Sequence, residues 1–118
     1  IQSDVVDLME AASRGTLAEV QIDINPLTAA AVMLVSGGYP EAYQKEKLVT
    51  NIPTTYNSII FHAGTKMEDK KIVTNGGRVI AITSFGEDYK CALDSAKKIA
   101  EEIQFEGKYY RKDIGFDL

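Results

Sequence analysis

Four polar segments that contain glycine carry the residues that could do chemistry. They are residues 36–40 (SGGYP), 62–66 (HAGTK), 74–78 (TNGGR) and 105–111 (FEGKYYR). Each adjoins a predicted strand or helix, and binding sites gather where loops leave such elements. The sequence contains neither a GxxxxGK[ST] nor a GxGxxG phosphate loop, and no acidic residues have the spacing of a Mg²⁺ site. We therefore predict binding loops, with no catalytic residue and no metal ligand in this chain.

The segment Asn75-Gly76-Gly77-Arg78 has the strongest physical case as a binding site. Glycine lets backbone N–H groups come close to an anion, and a guanidinium can grip a phosphate or carboxylate through two parallel hydrogen bonds. The same residues also suit a plain hairpin turn, because Asn-Gly is the commonest type I′ pair. The sequence leaves both interpretations open.

Two other segments are equally ambiguous. Ser36, Gly37 and Gly38 follow an apolar run, so they suit either an anion-binding loop or a simple reversal of the chain. His62 is the only histidine, and any imidazole acid–base chemistry would depend on it. A lone histidine at the end of a strand is more often structural, with contact to a substrate as the alternative.

Charge and hydropathy limit the classes of partner that this chain is expected to bind. Seventeen acidic and thirteen basic residues give a net charge of −4, which argues against nucleic-acid binding because that affinity comes from neutralising phosphates. Lys108, Arg111 and Lys112 surround two tyrosines, and they indicate either a nucleic-acid patch or a packed tail. The longest apolar run is too short to cross a bilayer, and no signal peptide is recognisable. We expect a cytoplasmic protein with neither a nucleic-acid nor a membrane partner.

Hydrophobic periodicity predicts the elements that must position these loops. Helices are predicted over residues 3–14, with Val5, Leu8, Met9 and Ala12 on the apolar face, and over 87–103, with Tyr89, Leu93, Ala96, Ala100 and Ile103. Strands are predicted over residues 20–24, 29–36, 58–63, 71–74 and 78–84, with a hairpin turn at 67–70 and a turn or bulge at 75–77. Short connections favour antiparallel pairing. The predicted class is α+β, with a small, mostly antiparallel sheet or half-barrel and flanking helices.

The candidate segments also carry a family resemblance. Residues 31–40 (AVMLVSGGYP), 61–66 (FHAGTK), 73–79 (VTNGGRV) and 105–115 (FEGKYYRKDIG) resemble, in this order, the C-terminal domain of phosphoribosylamine–glycine ligases. Residues 1–12 resemble the helix that leads out of the ATP-grasp portion of these enzymes. The resemblance implies a lead-out helix over 1–14 and a C-terminal domain over 15–118, with a fold like the single-hybrid motif. The chain begins at Ile1 without a methionine, so we expect a piece of a longer protein.

The resemblance implies a function for that longer protein. Such ligases use ATP and Mg²⁺ to activate glycine as an acyl phosphate, and the amine of 5-phosphoribosylamine then attacks it, in de novo purine biosynthesis. ATP and Mg²⁺ are expected to bind mainly outside this chain, which should be inactive alone. The implied substrate-binding residues are Asn75, Gly76, Gly77, Arg78, Ser36, Gly37, Gly38, His62, Gly64 and Thr65.

Two alternative functions remain at this point. The chain could be the C-terminal domain of another ATP-grasp carboxylate–amine ligase, but the FHAGTK and FEGKYYRKDIG segments speak against it. It could also be a stand-alone binding or assembly module with no catalytic context. The entry helix at residues 1–12 speaks against that second alternative.

Overall fold

The centre of the fold is a four-stranded antiparallel sheet, seen in a computed structural model that describes residues 1–117. The strand order is β2-β5-β1-β6, where β1 is Thr28–Ser36, β2 is Ser58–His62, β5 is Arg78–Gly86 and β6 is Lys108–Tyr109. Leu118, the last residue of the predicted domain 15–118, lies outside the described residues.

The long pair β1–β5 sets the register of this sheet. Pairing runs without interruption from Thr28 opposite Gly86 to Leu34 opposite Ile80, and it then shifts so that Val35 faces Arg78. One extra residue, Val79, is accommodated at the shift, as in a β-bulge. The predicted turn or bulge at 75–77 is therefore followed by a bulge two residues later.

One face of the sheet, here called the inner face, is covered by helix α2 (Tyr89–Glu102). The helix begins where the Asp88 carboxylate accepts a 2.7 Å hydrogen bond from the Cys91 N–H, and this bond is the main reason that the pKa of Asp88 is lowered. Alanines on the facing side of α2 allow close approach to the sheet. The core cluster consists of Val32, Leu34, Val49, Val79, Ile80, Ile82, Ala96, Ile99, Ala100, Ile103, Phe105 and Tyr110.

The opposite face, here called the outer face, holds the side chains that alternate with the core residues. They are Ala29, Ala31, Met33 and Val35 of β1, Ala81, Thr83 and Phe85 of β5, and Ile59 and Phe61 of β2. Neither helix lies against this face closely enough to bury it, and Ile59 and Phe61 remain 46% and 51% exposed.

A second sheet corrects one prediction. Strands β3 (Thr65–Glu68) and β4 (Lys71–Thr74) form a hairpin through Asp69 and Lys70, whose φ angles are 46° and 63°. Such paired positive φ angles mark the two-residue turns that match strand twist. The hairpin turn predicted at 67–70 is present, but the strand that precedes it is β3 and not the predicted strand 58–63. The strand at residues 58–62 pairs with β5 instead, and β3 was missed because its sequence TKME lacks apolar alternation.

The N-terminal segment corrects two more predictions. Helix α1 (Val5–Arg14) forms as expected between an Asp4 cap and Gly15, at a φ of 74°. It buries Leu8 and Ala11, whereas Met9 of the predicted apolar face is 66% exposed. The predicted strand 20–24 is absent, and this stretch instead bonds back to the chain start through Gln2 and Ser3. Alternation alone does not make a strand where no neighbouring strand offers a partner.

The predicted fold class is confirmed. Helices at the start and near the end of the chain flank antiparallel sheets, which is the α+β arrangement. Neither α1 nor α2 has the length and apolar character required of a membrane-spanning helix.

The two faces of the sheet should differ in their importance for stability. Leu34 is fully buried on the inner face, so Leu34→Ala should lower the free energy of unfolding by about 2–5 kcal/mol. Phe61 lies half-exposed on the outer face, so Phe61→Ala should cost about 0.5 kcal/mol in the 118-residue chain. Urea denaturation followed by circular dichroism measures both. Equal losses for the two variants would contradict the assignment of inner and outer faces.

Candidate functional site

The fold brings the four polar segments together at one end of the four-stranded sheet. The Ser36 N–H donates to the Gly77 carbonyl at 2.8 Å, and the Asn75 N–H donates to the Gly64 carbonyl at 2.7 Å. A β-carbon on Gly37 would lie 2.8 Å from the carbonyl oxygen of Gly107. Segments far apart in the sequence therefore form one cluster of loops.

The glycines of this cluster are required where backbones cross. Gly64 passes so close to Gly76 that a β-carbon on Gly76 would lie 3.2 Å from the Gly64 Cα atom, and one on Gly64 would overlap the Arg78 carbonyl oxygen. A β-carbon on Gly77 would overlap the ring of Tyr39. These glycines thus have a packing role, because no side chain fits between the two loops.

The interpretation of Asn75-Gly76 as a type I′ hairpin turn is wrong. Neither residue has a positive φ angle, which that turn requires at both central positions. The segment instead carries the chain from β4 in one sheet to β5 in the other. It leads into Arg78, the first residue of β5.

Ser36 fixes the position of this crossing. Its side chain is 3% exposed, and its hydroxyl donates to the Gly76 carbonyl at 2.9 Å. The backbone N–H of the same residue bonds to Gly77. Both donors of Ser36 are therefore used to hold the Gly76-Gly77 segment against the end of β1.

Arg78 is an exposed cation of the cluster. Its guanidinium carbon lies 5.9 Å from the centre of the Tyr39 ring, within the range of a cation–π contact. Tyr39 in turn lies against Gly77 and makes an edge contact with Tyr43, with ring centres 6.0 Å apart. The Arg78 guanidinium thus lies over the Tyr39 ring.

Arg78 differs from the other two arginines in having no acidic partner among residues 1–117. Arg14 pairs with Glu10, and Arg111 pairs with Asp113 through two hydrogen bonds of 2.8 and 3.2 Å. Within residues 1–117, no carboxylate lies within salt-bridge distance of Arg78. Its donors are available to an anion from outside.

A cavity of about 290 Å³ lies beside Arg78. Its walls include Met33 and Val35 of the outer face, together with Tyr39, Tyr109 and Arg111. Val35 pairs with Arg78 on one side and with Tyr109 on the other, so these three side chains form one row across three strands. The cavity is lined mainly by apolar and aromatic side chains together with the two cations Arg78 and Arg111, which suits a small anion with an apolar or planar part.

His62 and Thr65 lie at the neighbouring strand ends. The His62 Nδ1 atom and the Thr65 hydroxyl are 3.0 Å apart and form a hydrogen bond. His62 is exposed and shares a strand face with Ile60, as its alternation predicts. Nearby, a hydrogen bond from Lys66 to Glu46 is the main cause that raises the pKa of the Lys66 amine.

The basic and aromatic tail is packed against the fold. The Lys108 ammonium donates to the carbonyls of Ala100, Glu101 and Ile103, at 2.9, 3.2 and 2.6 Å, and so satisfies the end of α2. Burial lowers the pKa of this amine. Since Arg111 is also paired, the arrangement favours a packed tail over a nucleic-acid patch.

Sequence reasoning missed two aromatic residues of the site. Tyr39 and Tyr109 flank the Arg78 cavity but belong to loops and strands that meet only in the folded chain. The sequence feature that could have identified Tyr39 as a site residue is its position directly after Ser36-Gly37-Gly38. Across residues 1–117, no three His, Cys, Asp or Glu side chains come close enough together to hold a metal ion.

Comparison with known proteins identifies the family. Residues 29–117 match the family described as phosphoribosylglycinamide synthetase, C domain. The phosphoribosylamine–glycine ligases of Vibrio cholerae and Chlorobaculum tepidum are 37% and 38% identical, in alignments that cover 98% of this chain. The chain spans 28% of the length of either relative.

A solved structure agrees with the sequence relatives. The crystal structure of a phosphoribosylamine–glycine ligase from Thermotoga maritima is 36% identical, with a TM-score of 0.73. The match covers 89% of this chain and 27% of that one. The chain therefore belongs to the phosphoribosylglycinamide synthetase C-domain family.

Proposed function

We propose that this chain is the substrate-side domain of a phosphoribosylamine–glycine ligase, which joins glycine to 5-phosphoribosylamine and hydrolyses ATP to ADP and phosphate. The observation that supports this most is the likeness to such ligases over 98% of the chain. Because the chain spans 28% of their length, the activity belongs to the longer parent protein. Its product would enter de novo purine biosynthesis.

The proposed reaction proceeds in two steps. The glycine carboxylate attacks the terminal phosphoryl group of ATP, which gives an acyl phosphate and ADP. The amine of 5-phosphoribosylamine then attacks the acyl carbon, and phosphate leaves as the new amide forms and the amine loses a proton. Carboxylate and phosphate groups are thus present on the substrates throughout, and a fixed guanidinium suits both.

Within this chain, the residues of the candidate site divide into two roles. Arg78 is proposed to bind a substrate anion directly, with Asn75, His62 and Thr65 at the neighbouring loop ends. The remaining candidates, Ser36, Gly37, Gly38, Gly64, Gly76 and Gly77, are proposed to act by holding the loops that present Arg78. Their contacts to backbone atoms support that role.

ATP and Mg²⁺ are proposed to bind on the rest of the parent ligase. The described residues do not fit either group, because they offer no phosphate loop and no cluster of acidic ligands. The proposed domain spans 15–118, with 1–14 as the helix that leads into it. Because ATP and a phosphorylated sugar amine are metabolites of the cell interior, the proposed location is the cytoplasm.

The first test compares the chain with its parent. The parent ligase should form glycinamide ribonucleotide with matching release of ADP, whereas the purified 118-residue chain should form none. The reason is that residues 1–117 offer neither a phosphate loop nor a cluster of acidic metal ligands. A coupled ADP assay with chromatographic detection of the product measures both. Product formation by the chain alone, or none by a folded parent, would contradict the proposal.

A second prediction concerns Arg78 in the parent ligase. A charge-assisted hydrogen bond contributes about 1.5–3 kcal/mol, so Arg78→Ala should reduce kcat/KM by roughly 10- to 150-fold for one substrate. Arg78→Lys keeps the charge but loses the fork, so it should recover only part of the loss. Steady-state kinetics with 5-phosphoribosylamine and glycine varied separately would show which substrate is affected.

The matched control for that experiment is Arg14→Ala. Arg14 is also exposed, but it pairs with Glu10 on helix α1, away from the loop cluster. It should leave kcat/KM unchanged for both substrates. If both Arg78 variants fold and behave like the control, the assignment of Arg78 as an anion-binding residue is wrong.

A further inference from the structure

The outer face of the four-stranded sheet lacks the covering layer that a sheet of this composition needs. It carries no charged side chain between Ile59 on β2 and Val35 on β1. The inner face, by contrast, is buried beneath α2. Apolar sheet faces are normally packed against a second layer, and extended exposed apolar patches mark interaction surfaces.

The sizes of the side chains on the outer face suit close packing of a covering element. Alanines 29, 31 and 81 lie on its central strands beside the larger Met33 and Phe85, while Ile59 and Phe61 lie on the edge strand β2. Small central residues let a backbone approach closely, and the larger residues form a wall beside it. On the inner face the same role is played by the alanines of α2, which are fully buried.

The edge of the sheet is also unprotected. Strand β2 pairs with β5 on one side, and no named strand pairs with its other side within residues 1–117. Its five residues include neither a charged residue nor a proline. Natural edge strands are usually blunted by such residues or covered by another part of the protein. We therefore expect another part of the protein to cover the free edge of β2.

The outer face runs directly into the candidate site. Met33 and Val35 belong both to this face and to the wall of the cavity beside Arg78. Whatever covers the face at this end also closes the open side of the cavity. Closing a site in this way excludes water and strengthens the attraction between Arg78 and an anion.

We infer that the outer face and the β2 edge form the surface on which the rest of the parent ligase docks. The inference rests on the proposed function. Its occupant is the chain outside these 118 residues, since the relatives are more than three times as long as this chain. Face-to-face pairing of two copies is disfavoured, because the face offers no carboxylate to neutralise Arg78 at its end.

Hydroxyl-radical footprinting of the intact parent and of the 118-residue chain tests this inference. Phe61 is 51% exposed in the chain, and near-complete burial at an interface should reduce its oxidation rate roughly fivefold in the parent. Met67 serves as the internal control. It is 70% exposed on β3 of the two-stranded sheet, outside the four-stranded sheet, and its oxidation should be the same in both proteins.

The possible results have distinct meanings. Equal oxidation of Phe61 in the chain and in the parent overturns the inference. Protection of Phe61 in the chain alone that increases with protein concentration identifies a second copy as the occupant and also overturns it. Ligase activity of the same parent sample is measured separately. An active parent with an accessible Phe61 refutes only the docking surface, and an inactive parent with a protected Phe61 refutes only the proposed function.

A pair of variants of the parent gives an independent measurement. Phe61→Asp places a charge in the proposed interface and should lower the melting temperature of the parent, whereas Met67→Asp should not. In the isolated chain, Phe61→Asp should change the melting temperature only slightly, because Phe61 is half-exposed and lies outside the buried core cluster. Equal effects of the two variants in the parent would contradict the inference.

Discussion

The crossing of two backbones at Gly64 and Gly76 is the constraint on which the rest of this structure depends. The chain passes from the β3–β4 hairpin into β5 through Gly76. This residue lies directly against Gly64, which follows the end of β2. Side chains at these positions would separate the two loops, and the hydrogen bond from Asn75 to the Gly64 carbonyl would be lost. The position of Arg78, two residues after Gly76, follows from this contact.

The crossing also couples the stability of the core to the position of Arg78. Strand β5 begins at Arg78 on the surface and continues at once into Val79 and Ile80, which are fully buried. Ser36, at the end of β1, holds the same segment from the other side. A guanidinium attached to such a rigid element loses little conformational freedom on binding, which is the advantage of building a site at strand ends.

The sequence predicted the elements that are defined by local pattern. The apolar run before Ser36 and the alanine-rich stripe after Asp88 both become the expected strand and helix. The sequence did not predict pairing between distant segments. The polar strand at Thr65–Glu68 and the short strand at Lys108–Tyr109 exist because of their partners, and the apolar alternation of residues 20–24 has no partner to pair with.

The candidate site was only partly predictable, because its geometry also depends on contacts between distant segments. The glycines and Arg78 were evident as residue types, but their roles depend on which backbones meet in three dimensions. The support of Arg78 by Tyr39, and the absence of an acid beside it, are properties of the folded chain. The sequence therefore indicated where a site lies, and the structure shows how Arg78 is held.

Native-state hydrogen exchange of the 118-residue chain tests the central role of the crossing most directly. The amides of Ser36 and Asn75 donate to Gly77 and Gly64, at the crossing itself. If the crossing is as rigid as the core, both amides should exchange only through global unfolding, as slowly as those of Leu34 and Ile82. Fast exchange of Ser36 and Asn75 beside a protected β1–β5 pair would contradict the account, because Arg78 would then be carried by a mobile loop.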